Sequence, residues 1–331
     1  MTDQDLQHIE RAIELAGQGR GHTSPNPLVG AVIARDGEVL GEGYHAAYGA
    51  PHAEVSAIAA CEEDPIGATM YVTLEPCCHQ GQTPPCTEAI VKAGIKRVVV
   101  ASDDPTDKAS GRGLGILRDE GIEVVISNGD EAAAAKARLL NQPFRKHAIT
   151  GRPHVLFKSA MSLDGKVATK TGDSKWISSE DARLLAHRWR AACDAVAVGI
   201  GTALADDPQL TARIESVRHQ PRRVVFDATG RLPLDSKLVA AAPEVPLVVV
   251  VSRAAPRANT DGLEMAGAFL DGGEIDELRL FLAPLLLGGR SARDPLEGEG
   301  VDAISDALRA LTLECDKIAG DVLISARLRE W

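Results

Sequence analysis

The sequence has few cysteines and no long hydrophobic run, and each shortage excludes a class of protein. Six cysteines are scattered over 331 residues, which is too few for the disulfide framework of a small secreted protein. No apolar run reaches the ~18 residues of a membrane-spanning helix. The acidic, amphipathic beginning also differs from a signal peptide. We therefore expect a cytoplasmic protein without a membrane partner, whose closely spaced cysteines bind a metal rather than form disulfides.

Positive charge and aromatic residues are also scarce. The formal net charge is −11, and aromatic residues make up 3% of the chain. Proteins that bind nucleic acid need cationic surface to contact phosphates, and single-strand binders add aromatic side chains that stack on bases. These shortages argue against a nucleic-acid partner and against an enzyme that edits nucleic acid.

The pattern of hydrophobic residues predicts two α/β domains. In the first half, a helix is predicted over 5–16 with a possible cap at Asp3, and a hairpin is predicted at the Asp36-Gly37 turn. Further strands separated by helices predict a largely parallel sheet with helices on both faces. The basic, turn-rich segment 144–154 marks the domain boundary, and a second series of strands and helices follows it.

The segment 73–86, "TLEPCCHQGQTPPC", is the strongest candidate for a functional site. A catalytic zinc typically has three protein ligands and an open position for water. Cys77 and Cys86 have eight residues between them, enough for a loop that joins a strand to the start of a helix. The helix dipole favours a thiolate at Cys86. His52, at the start of the preceding predicted helix, is the expected third ligand.

Cys78 and His79 are the alternative ligands in this loop. A residue next to Cys77 normally points its side chain elsewhere, so we expect Cys78 to be structural and His79 to cap the loop. Glu54, two residues after His52, would lie nearby without binding the metal. The H-x-E pattern followed by P-C and a second Cys is typical of zinc deaminases, in which the Glu transfers protons during water attack on a ring carbon.

Longer motifs resemble the family of bifunctional deaminase/reductase enzymes of riboflavin biosynthesis. They include "PNPLVGAVI" and "YVTLEPCCHQGQTPPCTEAI" in the first half, and "KSAMSLDGKVAT" and "VGIGTALADDPQLTAR" in the second. The resemblance covers nearly the whole chain. It implies a cytidine-deaminase-like fold for the deaminase domain, residues 1–147, and a dihydrofolate-reductase-like fold for the reductase domain, residues 152–331.

The resemblance also implies two consecutive reactions. The first domain would hydrolyse the 2-amino group of 2,5-diamino-6-ribosylamino-4(3H)-pyrimidinone 5′-phosphate. The second would use NADPH to reduce the ribosyl group to ribityl. The ligands His52, Cys77 and Cys86 and the proton shuttle Glu54 agree with the family pattern. We expect a homo-oligomer that forms through the C-terminal domain.

Further site residues are implied by the same resemblance. Asn26 and His45 match positions that line the pyrimidine pocket. The matching positions in the reductase are Ala160, Trp176, Thr202 and Asp206 for the cofactor, and Ser174, Arg190, Leu210 and Arg213 for the substrate. Arginine suits a substrate phosphate, and Lys158 is a further candidate for a polar contact. Taken singly, Trp176 could instead be a core residue and Arg190 a solvated helix residue.

The chain departs from the family pattern at two places. Gln82 stands where the family usually has Lys or Arg, so weaker phosphate binding by the deaminase is expected. The reductase is shortened between about 252 and 266 and lacks an E-G-G turn, which receives cofactor phosphate at a helix start. The sequence therefore predicts a working deaminase and a weakened reductase. The alternative is a C-terminal domain that serves only in dimerisation.

Overall fold

The computed structural model describes residues 1–81, 84–107, 109–127, 132–215, 217–252, 273–289, 292–296 and 300–331. The chain forms two compact units. The first contains residues 1–154 together with Trp331, and the second contains residues 155–330. Within the described ranges, no helix is both long and apolar enough to cross a membrane.

The first unit is a five-stranded sheet with helices on both faces. Its strands are β1 (Gly30–Arg35), β2 (Glu38–Tyr44), β3 (Thr69–Val72), β4 (Arg97–Val100) and β5 (Glu123–Ile126). Its helices are α1 (Asp3–Gly17), α2 (Ala53–Ala59), α3 (Cys86–Lys92), α4 (Arg112–Asp119), α5 (Ala132–Leu140) and α6 (Gln142–Thr150). The strand order is β2-β1-β3-β4-β5. The α/β class is confirmed, but the sheet is mixed, because β1 is antiparallel to both β2 and β3 whereas β3, β4 and β5 are parallel.

Local sequence explains where several of these elements begin and end. Thr2 caps α1 in a reciprocal capping box with Asp5, one residue before the predicted cap at Asp3. The Asp36-Gly37 turn has φ values of 53° and 90°, as the predicted hairpin requires. Helix α6 occupies most of the segment predicted to be turn-rich, and it ends at Gly151 with φ 69°.

The hydrophobic core lies on both faces of this sheet because successive side chains of a strand point to opposite faces. Ile33 and Met70 belong to a cluster that includes residues of α2, α3 and α4. Val32 and Val99 belong to a second cluster, with residues of α1 and α5. The packed sheet fixes the positions of the loops that follow β3 and β4.

The second unit contains two sheets in its described residues. Its strands are β6 (Leu156–Ser162), β7 (Ala195–Gly199), β8 (Arg222–Phe226), β9 (Leu247–Val250), β10 (Glu277–Ala283), β11 (Thr312–Ile318) and β12 (Asp321–Arg327). Its helices are α7 (Glu180–Ala192), α8 (Ile200–Asp206) and α9 (Lys237–Ala240), with a short 3-10 helix at Ile304–Asp306. The strand orders are β11-β12-β10-β6 and β7-β8-β9.

Helix α7 packs on the four-stranded sheet through aromatic side chains. The ring of Trp189 stacks on that of Phe281 in β10, with 5.5 Å between centroids. Phe281 is buried with Ala182 and Leu323 in the cluster under the helix. Most of the predicted shortening between about 252 and 266, and the segment expected to hold the E-G-G turn, lie outside the described residues.

Candidate functional site

The three predicted metal ligands come together beside the first sheet. His52 immediately precedes α2, Cys86 is the first residue of α3, and Cys77 lies in the loop after β3. Nδ1 of His52 lies 3.2 Å from Sγ of Cys86 and 3.5 Å from Sγ of Cys77. The three ligand atoms all lie within 4.8 Å of one another. This spacing is compatible with coordination of a single ion.

The chemistry of these donors fits zinc. Two sulfurs and one imidazole nitrogen suit Zn²⁺ rather than the hard cations Mg²⁺ and Ca²⁺. Within the cysteine pair, hydrogen bonds with Cys86 and His52 lower the pKa of the Cys77 thiol, whereas the hydrogen bond with Cys77 and burial raise the pKa of Cys86. The backbone N–H of Cys86 also donates to Sγ of Cys77 at 3.3 Å. These contacts favour a thiolate at Cys77, and three protein ligands leave one tetrahedral position for water.

Glu54 is buried next to this group of ligands. It lies in the first turn of α2 and is 3% exposed, and its side chain hydrogen-bonds that of Cys86. Burial raises the pKa of Glu54 to about 7. A carboxyl group with such a pKa can both accept and donate a proton near neutral pH. The position supports the predicted role of proton shuttle.

Asn26 and His45 form a hydrogen-bonded pair beside His52. Nδ1 of the buried His45 lies 3.1 Å from the carbonyl oxygen of Pro51, and its Nε2 lies 3.1 Å from Nδ2 of Asn26. A carbonyl oxygen can only accept, so Nδ1 carries the proton and Nε2 accepts from the Asn26 amide. The His45 and His52 rings meet edge to face, 5.4 Å apart. This contact fixes the orientation of the Asn26 amide, whose side-chain oxygen is an acceptor.

The alternative ligands in the cysteine loop do not join the metal group. The cluster found among the described residues consists of His52, Cys77 and Cys86, without Cys78 or His79. This arrangement supports the expectation that Cys78 is structural. Gln82 lies outside the described residues, so its effect on phosphate binding stays a prediction.

Basic side chains converge in the second unit. Lys158 is on β6, Arg190 is in the last turn of α7, and Arg213 is in the loop after α8. Loss of hydration next to neighbouring groups and the charge of Arg190 lower the pKa of Lys158, although its side chain remains partly exposed. Desolvation and the charge of Arg213 likewise lower the pKa of Arg190, whose Nη1 donates to the Thr211 carbonyl at 3.3 Å. Positive charges brought this close together favour an anionic ligand, such as a phosphate.

The other predicted reductase residues lie on neighbouring elements: Ala160 on β6, Ser174 and Trp176 between β6 and α7, Thr202 and Asp206 on α8, and Leu210 after α8. Trp176 is not a core residue, since it is 73% exposed. The Arg183 guanidinium lies 4.6 Å from its ring centre. Thr202 and Asp206 are one turn apart and share a face of α8. The cofactor and substrate contacts assigned to these residues stay predictions.

Two residues that the sequence analysis did not name support these sites. Glu75 is buried before the cysteine loop, and its Oε2 accepts from the backbone N–H of Gly111 at 3.0 Å. Nδ1 of His187 accepts from the backbone N–H of Arg213 at 3.2 Å. His187 lies three residues before Arg190 on one helix, a spacing that signals a shared face. No local pattern links Glu75 to Gly111.

Comparison with known protein families covers both halves of the chain. Residues 2–102 match the cytidine and deoxycytidylate deaminase zinc-binding region. Residues 153–262 and 260–324 match the RibD C-terminal domain. The riboflavin biosynthesis protein RibD of Actinobacillus pleuropneumoniae is 39% identical over 362 aligned positions, which cover 98% of this chain and 95% of that protein. The RibD of Bacillus amyloliquefaciens is 36% identical, with 96% and 95% covered.

Solved structures are similar over the same extent. A structure of Acinetobacter baumannii RibD has a TM-score of 0.85 and 38% identity, and the match covers 99% of each chain. A Thermotoga maritima protein has a TM-score of 0.84 and 32% identity, covering 98% of this chain and 99% of that one. It is described as a diaminohydroxyphosphoribosylaminopyrimidine deaminase and 5-amino-6-(5-phosphoribosylamino)uracil reductase. The similarity thus includes both the deaminase and the reductase halves.

Proposed function

The chain belongs to the RibD family of riboflavin biosynthesis enzymes, and from that membership we propose its substrate and the residues that act on it. It is a bifunctional enzyme, with a zinc-dependent deaminase domain and an NADPH-dependent reductase domain. Its substrate is 2,5-diamino-6-ribosylamino-4(3H)-pyrimidinone 5′-phosphate, which is first deaminated and then reduced at the ribosyl group. The match to the RibD C-terminal domain disfavours a C-terminal half that only dimerises.

In the deaminase, His52, Cys77 and Cys86 would hold zinc. The chemistry that zinc would supply when bound is a lowering of the pKa of water to about 7, which would make hydroxide accessible at neutral pH. Glu54 takes up the proton released from the water and transfers it to the departing 2-amino group. Asn26 orients the pyrimidine by accepting a hydrogen bond from it, and His45 holds the Asn26 amide in that orientation. The observation that carries this proposal is the buried Glu54 beside the two sulfurs and one imidazole.

In the reductase, the converging cations bind the phosphate of the deaminated product. Arg190 and Arg213 are suited to this role because guanidinium groups bind phosphate through paired hydrogen bonds, and Lys158 adds a third donor. NADPH supplies the hydride that converts ribosyl to ribityl. The cofactor is contacted by Ala160, by Trp176 and by the face of α8 that carries Thr202 and Asp206. The substrate is contacted by Ser174 and Leu210.

The Glu54→Gln variant tests the deaminase assignment. It should retain one zinc per chain, because Glu54 is not a ligand, and lose ~100-fold or more in deamination rate, since the amide cannot transfer the proton. Zinc content and ammonia release are measured on the same preparation. Glu88→Gln, a matched change at an exposed position in the first turn of α3, should behave like the unmodified enzyme. Near-normal turnover of Glu54→Gln would refute the role.

We also expect a cytoplasmic homo-oligomer. Two cysteines lie with His52 in the metal group, and a reducing compartment keeps such cysteines available as metal ligands. Strand β9 ends its sheet among the described strands, and Val248, Val249 and Val250 on it are exposed. Such an apolar edge supports contact with a second copy through the C-terminal unit. Sedimentation of Val249→Lys checks this, because a charge in the contact should lower the oligomeric state.

A further inference from the structure

Trp331 is held in the first unit by side chains of α6. The side-chain amide of Gln142 pairs with its backbone, since Oε1 accepts from the Trp331 N–H at 2.6 Å and Nε2 donates to its carbonyl at 3.0 Å. Nε of Arg145 donates to the same carbonyl at 2.6 Å. The ammonium of Lys146 lies 5.5 Å from the centre of the indole ring. Contacts with Trp331, which is distant in sequence, therefore explain why the polar side chains of Gln142, Arg145 and Lys146 are buried.

Arg145 connects Trp331 to the loop after β4. Its side chain is 9% exposed. Nη1 donates to the Asp103 carbonyl at 2.9 Å, and Nη1 and Nη2 each lie 3.3 Å from an oxygen of the Asp103 carboxylate. All three guanidinium nitrogens thus have partners, which fixes the plane of the group. Lysine cannot reproduce this planar arrangement of donors.

The loop that Arg145 holds adjoins the metal loop. The Ser102 carbonyl accepts from the backbone N–H of Glu75 at 3.0 Å, two residues before the ligand Cys77. Residues 102–104 also follow directly on β4 and its neighbour Ala101, at the carboxyl end of the parallel strands. Ligands of α/β sheets bind at that end. The loop therefore lies at the end of the sheet where we expect the substrate, and a shift of it would leave the metal ligands in the chain.

We propose that Arg145 and Trp331 form a clamp that positions the loop 102–104 of the deaminase for substrate binding. Arg145 acts on the loop through Asp103, and Trp331 acts through Arg145 by fixing its Nε. Both are positioning residues, distinct from the zinc ligands and the proton shuttle. The proposal rests on the proposed deaminase function and adds residues that control how its substrate is bound.

Deamination kinetics of full-length variants test the clamp. Arg145→Lys keeps the charge but loses the planar donors, and deletion of Trp331 removes the main-chain partner. We expect each to raise KM for the diaminopyrimidine by about tenfold, with kcat changed much less. Zinc content and NADPH-dependent reduction should remain those of the unmodified enzyme. Trp331→Ala keeps the backbone contacts and should raise KM less than the deletion does.

A double variant separates the clamp from general support of the fold. If Trp331 acts through Arg145, combining Arg145→Lys with the deletion raises KM no further than Arg145→Lys alone. The control is Lys136→Gln, which breaks an exposed ion pair with Glu10 in the same unit. It should leave KM for deamination unchanged. Unchanged KM in both single variants, additive effects in the double variant, or loss of zinc would each overturn the proposal. Absence of deamination by the unmodified enzyme would instead refute the proposed function.

Discussion

Single residues of the metal group differ in how directly the sequence reveals them. Cys77 and Cys86 could be predicted because a strand, a loop and a helix start follow one another within one short segment. The contact of His45 with Pro51 and Asn26 could not, since it depends on how the turn around Asn26 packs against the loop before α2. The same holds for Arg145, whose partners Asp103 and Trp331 lie far from it in sequence. The spacing of residues in a short segment is enough to predict metal ligands. The residues that support those ligands cannot be predicted in this way, because tertiary contacts bring them together.

Replacement of single cysteines in the loop by serine tests which of them bind the metal. Cys77→Ser and Cys86→Ser should each lose most of the bound zinc, because a hydroxyl is a far weaker zinc ligand than a thiolate. Cys78→Ser, a matched change one position away, should keep it. Elemental analysis of the purified variants gives the zinc content. Full zinc in both ligand variants, or its loss in Cys78→Ser, would reassign the site.

Replacement of His45 tests whether its ring orients Asn26. His45→Phe removes the hydrogen-bond partner of the half-buried Asn26 amide and of the Pro51 carbonyl, at a net cost of about 0.5–1.5 kcal/mol for each hydrogen bond lost. We expect a rise of tenfold or more in KM for deamination with zinc retained. Asn26→Leu, which removes the acceptor itself, should give an effect at least as large. A normal KM in His45→Phe would show that Asn26 needs no such support.

At the scale of elements, hydrophobic periodicity predicted those that bury a regular face. Helix α1 repeats apolar residues at helical spacing and was predicted within a few residues of its ends. Helix α6 was not, because its buried Arg145 and Lys146 are typical of surface residues and need Trp331 to be accommodated. Strand β11 was overlooked because its side chains are mostly exposed and polar. Helices held by specific polar contacts, and strands that pair with only one neighbour, show little hydrophobic periodicity in the sequence.

The attachment of α1 to the sheet predicts a pH-dependent stability. Hydrogen bonds from Arg97 lower the pKa of the buried Asp5 below its usual range. A carboxyl group whose pKa is lower in the folded state stabilises above its unfolded pKa of about 4 and loses this contribution as pH falls. Asp5→Asn should therefore lower the free energy of unfolding by about 2 kcal/mol at pH 7 and by less near pH 3.

Urea denaturation at the two pH values measures this difference. Glu123→Gln is the control, because Glu123 is an exposed partner of the same Arg97, and exposed pairs contribute little. If Asp5→Asn lowered the free energy of unfolding equally at both pH values, the charge of Asp5 would not be what stabilises α1.

At the scale of the whole molecule, the shortening that the sequence predicts for the reductase implies weak cofactor binding. The two matches to the RibD C-terminal domain meet at 260–262, which supports a shortening at the place where the sequence lacks the E-G-G turn. Losing several hydrogen bonds to phosphate, each of about 1.5–3 kcal/mol, should weaken NADPH binding by orders of magnitude. We expect a Kd well above the micromolar range in calorimetric titration. Micromolar affinity would show that another segment, such as "NTDGLE" at 259–264, supplies the phosphate turn.

Product analysis tests most directly whether one chain carries out both reactions on the diaminopyrimidine phosphate. The purified enzyme is incubated with this substrate, with and without saturating NADPH, and the products are identified by mass spectrometry. Without NADPH we predict only the deaminated ribosyl compound, and with NADPH the ribityl compound as well, formed slowly. Glu54→Gln should give neither. Unchanged substrate under both conditions, or deaminated product from Glu54→Gln at the normal rate, would contradict the account.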